Sequence, residues 1–143
     1  MAPEALVAHD HAMALNLLIV DDSELVRASL RGLVADIPGV ATVHAAASLA
    51  RAMACARSEA PDLVVLDLHL PDGNAVEVIP ALLELVPGVQ IAVLTNDVHP
   101  VNRARSLAAG AHWFFDKSTE FDQMLNVVRQ QAALCQPNYP RTV

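Results

Sequence analysis

Five short apolar runs recur along the chain, each followed by a stretch whose apolar residues step by three and four. No other feature constrains the fold as tightly. Continuous apolar runs bounded by turn residues read as buried strands, and a 3.6-residue period reads as helix. Strand and helix in regular alternation make βαβ units, whose right-handed crossovers leave the strands parallel. The expected class is therefore α/β, with five strands and five helices.

The runs are NLLIV (16–20), ATVHAA (41–46), DLVVLDL (62–68), VQIAVLT (89–95) and AHWFF (111–115). The first helix is expected over 23–36, with Leu25, Val26, Leu30, Leu33, Val34 and Ile37 as its apolar face and Pro38-Gly39 as its stop. The second runs from Ser48, a suitable N-cap, to Glu59, before Pro61. For the third, Asn74 and Glu77 resemble a capping box, and Val76, Ile79, Leu83 and Val86 form the stripe. Pro80 inside it removes a hydrogen bond and is expected to kink or delay the helix. The fourth covers 98–109 and ends at Gly110, and the fifth covers 118–134 with Phe121, Leu125, Val128 and Ala132 on one face.

Composition narrows the function. A chain of 143 residues with 54% hydrophobic content supports one domain with a full core, and only 3% aromatics means Ala, Val, Leu and Ile fill it. A net charge of −7 with nine scattered Lys and Arg argues against nucleic-acid binding by this domain. No apolar run approaches the roughly 20 residues that span a bilayer, so no membrane partner is expected. Residues 1–14 read as a flexible leader, in which His9, Asp10 and His11 are a chance grouping, and 136–143 as a C-terminal tail. Cys55 and Cys135 lack disulfide or metal spacing and suit a reducing, cytoplasmic setting.

The chemistry collects at strand ends. In an open parallel sheet, ligands bind beyond the carboxyl ends of the strands where strand order reverses. Asp21 and Asp22 follow the first strand, Asp67 closes the third, Thr95 closes the fourth and Lys117 follows the fifth. Each alone is an ordinary turn or capping residue, but together they converge on one pocket. Clustered carboxylates repel, and a hard divalent cation, most naturally Mg²⁺, relieves that repulsion. Asp67 is then the candidate nucleophile toward phosphorus, Lys117 the ammonium that stabilises developing charge, and Thr95 a hydroxyl donor to the attached group.

With these residues in place, the chain resembles a response-regulator receiver domain of two-component signalling, similar to the chemotaxis regulators. The likeness covers residues 15–135, from VDDSELVR through VVLDLHLPDGN and VLTND to GAHWFFDK. It implies a flavodoxin-like doubly wound five-stranded parallel sheet of order 2-1-3-4-5 with five helices. It also implies a phosphoacceptor that assists its own phosphorylation and dephosphorylation, and not an enzyme in the ordinary sense. Asp67 matches the phosphoacceptor. The metal ligands are Asp22, Asp21 directly or through water, Asp67 and the His69 backbone carbonyl. Thr95 and Lys117 match the phosphoryl-stabilising pair and Phe114 the switch aromatic, which enters the space left when Thr95 is drawn inward.

The implied partners are a sensor histidine kinase or phosphotransfer protein and a downstream protein bound through the fourth helix, fifth strand and fifth helix; a homodimer is also allowed. A single-domain regulator is expected. The alternatives are a pseudo-receiver, which keeps the fold without phosphorylation, and the receiver half of a longer DNA-binding regulator. A third alternative, a phosphatase or other flavodoxin-like enzyme, is disfavoured by the lack of a D-x-D, Gly-rich or Cys-x₅-Arg phosphate motif. The chain departs from the family pattern at Ser118, where proline is common after the lysine, at Ala75 and at Trp113. A trans Lys117–Ser118 peptide is expected, since a cis bond without proline costs roughly 2.5–4 kcal/mol. The His69 side chain is expected beside the pocket, tuning water access, and His44, His99 and His112 as surface or packed residues.

Overall fold

A computed structural model describes residues 14–135. The expected flexible leader, up to residue 13 and including His9, Asp10 and His11, and the expected tail at 136–143 lie outside the described residues.

The strands are β1 (Leu15–Val20), β2 (Val40–Ala46), β3 (Leu63–Leu66), β4 (Gln90–Thr95) and β5 (Trp113–Asp116). They form one parallel sheet in the order β2-β1-β3-β4-β5. The helices are α1 (Glu24–Ala35), α2 (Leu49–Glu59), α3 (Ile79–Leu85), α4 (Pro100–Ala109) and α5 (Phe121–Leu134). The expected order 2-1-3-4-5 is thus the observed one. Among the described residues no helix is long and apolar enough to cross a membrane.

Strand side chains alternate between faces, and this splits the core in two. Leu18, Val20, Val64, Leu66, Ile91, Val93 and Phe114 face α2 and α3. Leu17, Ile19, Val65, Leu94 and Phe115 face α1 and α5, through Leu30, Val34, Met124, Leu125 and Val128. Trp113 packs with this second cluster, so neighbouring Trp113 and Phe114 lie on opposite faces of the edge strand.

Two local details differ from the sequence expectation, and a third follows one of its two alternatives. Leu25 and Leu33 do not face the core; they are 76% and 50% exposed, while Leu30 and Val34 are buried. Of the two outcomes expected at Pro80, the structure shows the delay and not the kink: a 3₁₀ turn at Ala75–Val78 precedes α3, and the proline occupies its first turn, where its missing N–H costs nothing. The fifth helix begins at Phe121, later than expected, because Asp116 organises a turn. Its Oδ1 accepts from Ser118 N at 2.8 Å, its carbonyl accepts from Glu120 N, and its own N–H donates to Glu120 Oε1.

The loop after β3 is tied to α2. His69–Leu70 pairs antiparallel with Gly73–Asn74. Between these segments the Asp72 carboxylate accepts from Leu49 N at 2.8 Å and Ala50 N at 2.9 Å, while Ser48 Oγ accepts from Arg51 N. Three of the N–H groups left open at the helix start are thereby satisfied. The backbone bonds from Leu49 and Ala50 hold the Asp72 carboxyl below the usual carboxylate range. A depressed pKa contributes stability above the unfolded value and loses it as pH falls through the folded one. Asp72→Ala is therefore expected to lower the melting temperature by a few °C at neutral pH, and the difference from the parent should vanish in strong acid, which paired thermal melts can check.

Candidate functional site

Backbone hydrogen bonds carry the parallel ladder past the strand ends. Asp21 N donates to Ala46 O at 3.1 Å, Asp67 N to Val20 O at 2.9 Å and Lys117 N to Thr95 O at 2.9 Å. These bonds bring residues from distant parts of the chain to one edge of the sheet. Asp21, Asp22 and Asp67 each present a carboxylate oxygen there, all within 4.8 Å of one another.

Lys117 crosses this cluster. Its Nζ donates to Asp21 Oδ2 at 2.6 Å and to Asp67 Oδ2 at 3.1 Å, with the lysine side chain 14% exposed. Burial works against its charge, but the hydrogen bond to Asp21 and the fields of Asp67 and Asp21 outweigh it and hold the ammonium above its ordinary pKa. Asp21 is buried and fully engaged: Oδ1 accepts from Ser23 N at 2.9 Å, and its backbone carbonyl accepts from Arg27 Nη1 at 2.8 Å. Asp67 Oδ1 accepts from Leu68 N at 2.7 Å. Asp22 is exposed, on the rim.

Asp22 and Asp67 open into a cleft that His69, Thr95, Asn96 and Asp97 also line. Thr95 is buried, and its Oγ1 accepts from Asp97 N at 3.1 Å, which leaves its proton for an oxygen in the cleft. The exposed His69 side chain spans the mouth and meets Asp97 Oδ2 through Nε2. That bond holds the Asp97 carboxyl below its usual range. Of the other described histidines, His99 Nδ1 caps α4 by accepting from Val101 N, His112 Nδ1 accepts from Ile91 N, and His44 lies 3.4 Å from Glu59. Phe114 is set apart from the cleft, buried under α4.

Three carboxylates against one ammonium leave the site anionic and strained by like charge, while its oxygen-only donor set fits a hard divalent cation. Asp22→Ala should relieve part of that repulsion. In chelator it is expected to raise stability by roughly 0.5–1 kcal/mol, and added divalent cation should then stabilise the variant less than the parent in thermal melts.

Residues 17–129 match the response regulator receiver domain family. The chain belongs to that family. The receiver is 32% identical over 117 residues to the DNA-binding transcriptional activator DevR/DosR of Mycobacterium tuberculosis, covering 82% of this chain and 54% of that protein. It is likewise 32% identical over 115 residues to the response regulator UvrY of Escherichia coli, covering 80% and 53%. A LuxR-family two-component response regulator from Aurantimonas sp. SI85-9A1 superposes with a TM-score of 0.76 at 26% identity, covering 89% of this chain and 91% of that one. A Burkholderia pseudomallei response regulator solved with a phosphorylated aspartic acid, calcium ion and citrate gives 0.71 at 27%, covering 84% and 69%. The receiver spans about half the length of the curated relatives it matches.

Sequence reasoning located Asp21, Asp22, Asp67, Thr95 and Lys117 at one edge of the sheet, and the structure brings them together there. It assigned no role to Asn96 and Asp97, although both follow Thr95 directly. Ser118, where the family often has proline, sits on a trans peptide as expected, and its Oγ donates to Asn96 Oδ1 at 3.2 Å. This bond ties the lysine loop to the threonine loop.

Proposed function

We propose that the receiver takes a phosphoryl group on Asp67 in a two-component phosphorelay, with Mg²⁺ bound by Asp22, Asp67, the His69 backbone carbonyl and, directly or through water, Asp21. The observation that carries this reading is the Lys117 ammonium reaching both Asp21 and Asp67 while Asp22 stays on the open rim. Both Asp21 oxygens already accept hydrogen bonds from protein groups, which favours its link to the metal through water. Bound Mg²⁺ would supply charge neutralisation for the phosphoryl oxygens.

The protein's own groups set up the transfer. An Asp67 carboxylate oxygen forms a bond to phosphorus as the bond from phosphorus to the donor breaks, and the donor atom leaves with the electron pair. Lys117 neutralises charge growing on the phosphoryl oxygens, and the Thr95 hydroxyl donates to one of them. Water attack on phosphorus in the same pocket would reverse the modification, so the receiver assists both directions without being an enzyme in the ordinary sense. The donor is a phosphohistidine of a sensor kinase or phosphotransfer protein.

The functional unit is residues 15–135, working in the cytoplasm, with Phe114 as the switch aromatic and α4, β5 and α5 as the surface offered to a downstream protein. This domain itself does not bind nucleic acid. A second reading, the receiver half of a longer DNA-binding regulator, is favoured by relatives about twice the length of the match, among them a DNA-binding activator. To test the central reading, the chain is incubated with a small acyl phosphate and Mg²⁺ and then peptide-mapped. The modification should fall on the peptide holding Asp67; a modification elsewhere would contradict the assignment.

A further inference from the structure

Helix α4 has the weakest apolar hold of the five. The others bury Leu, Val, Ile, Ala or Met side chains, whereas the only fully buried residue of α4 is Ser106. Among the described residues the Ser106 hydroxyl has no hydrogen-bond partner, so it weakens the packing it occupies. Val101 and Leu107 point outward, 52% and 39% exposed. Burial of apolar surface is therefore a small part of what fastens α4 to β5.

Arg103 supplies a different fastening. Its guanidinium carbon lies 5.7 Å from the centroid of the Phe114 ring, and its Nη1 donates to the Phe114 carbonyl at 3.2 Å. Among the described residues β5 is an edge strand, so that carbonyl has no further strand to pair with on its outer side. One side chain thus grips both the ring and the backbone of one residue. The ring itself is buried in the cluster with Ile79, Val93 and Ala111.

We infer that Arg103 is a positioning residue that clamps the Phe114 ring inward and so couples the seat of α4 to the phosphoryl site. The inference rests on the reading of Phe114 as the switch aromatic. A planar guanidinium can stack on the ring and donate to the carbonyl at once, which an ammonium cannot do as well. Anything that favours the inward ring also favours the Thr95 position compatible with it, and coupling of this kind is reciprocal. Removing the clamp should therefore weaken binding at Asp67 without touching any group there.

The test uses the full chain with Mg²⁺ and beryllofluoride, a stand-in for the phosphoryl group, in the parent, Arg103→Ala, Phe114→Ala and the double variant. Arg103→Ala is expected to weaken beryllofluoride binding roughly 3- to 10-fold, with Arg103→Lys in between. In the Phe114→Ala background the same substitution should change affinity by less than about 2-fold, since the clamp then has no ring to hold. Amide exchange across α4 should quicken in Arg103→Ala and not in Arg103→Ala/Phe114→Ala relative to Phe114→Ala.

Unchanged affinity in Arg103→Ala, or an equal loss with and without Phe114, would overturn the clamp. If the parent itself fails to bind beryllofluoride, the reading of Asp67 fails separately, and the exchange comparison alone decides whether Arg103 holds the ring.

Discussion

Asp67→Asn is expected to accept no phosphoryl group while folding as the parent does. The amide keeps the shape of the carboxyl and can still accept from Leu68 N, but it lacks the anionic oxygen that attacks phosphorus. Lys117 retains Asp21 as its closer partner, so the part-buried ammonium is not stranded. Three carboxylates become two, and the variant is expected to melt at a higher temperature than the parent in chelator. Intact-mass measurement after exposure to a small phosphodonor reads the first effect and thermal unfolding the second. Equal labelling of parent and variant would remove Asp67 from its role.

Lys117→Met should produce the largest loss of stability at the site. Asp21 is buried, and the ammonium 2.6 Å from its Oδ2 is its close counter-charge. Taking one partner out of a buried pair leaves the other uncompensated, at a cost of roughly 3 kcal/mol. Denaturant unfolding in chelator at neutral pH should show that loss, and divalent cation should recover part of it.

The sign of the pH dependence follows from the raised pKa of Lys117. A group whose folded pKa lies above its unfolded value gives its full stability below the unfolded value and loses it as pH rises through the folded one. The gap between parent and variant should therefore hold through neutral and mildly alkaline pH and close only in strong base. Phosphoryl transfer in the variant should also slow by roughly 100-fold, the scale for losing one charge-stabilising donor. A variant as stable and as quickly labelled as the parent would mean that Lys117 is a surface residue with no part in either.

The sheet and the cluster were legible because both depend on short-range patterns. Buried strands such as 63–66 announce themselves by continuous apolar residues, and a polar residue directly after such a run can only stand at the sheet's edge. Five of them therefore converge once the strands are parallel. The width of a helix's buried stripe is less local: Leu25 and Leu33 share the spacing of Leu30 and Val34, yet α1 contacts the sheet along a narrower line that leaves them in solvent.

Contacts between elements far apart in sequence left no signature at all. The reach of Asp72 to the start of α2, of His69 to Asp97 and of Arg103 to Phe114 each joins residues whose local sequence is unremarkable. Helix starts also shift where side chains compete with the backbone. Asp116 and Glu120 hold a turn that postpones α5, and the His99 cap starts α4 at Pro100, two residues beyond the expected 98.

Phosphorylation of Asp67 should depend on Mg²⁺, and one measurement reaches that dependence directly. The wild-type chain is mixed with a small acyl phosphate, with Mg²⁺ in one arm and chelator in the other, and its intact mass is followed over time. A gain of one phosphoryl group is expected with Mg²⁺, and little or none in chelator. No gain in either arm, from protein whose melting temperature rises on adding Mg²⁺, would contradict it and make the fold a binding module that has kept the site but not the reaction.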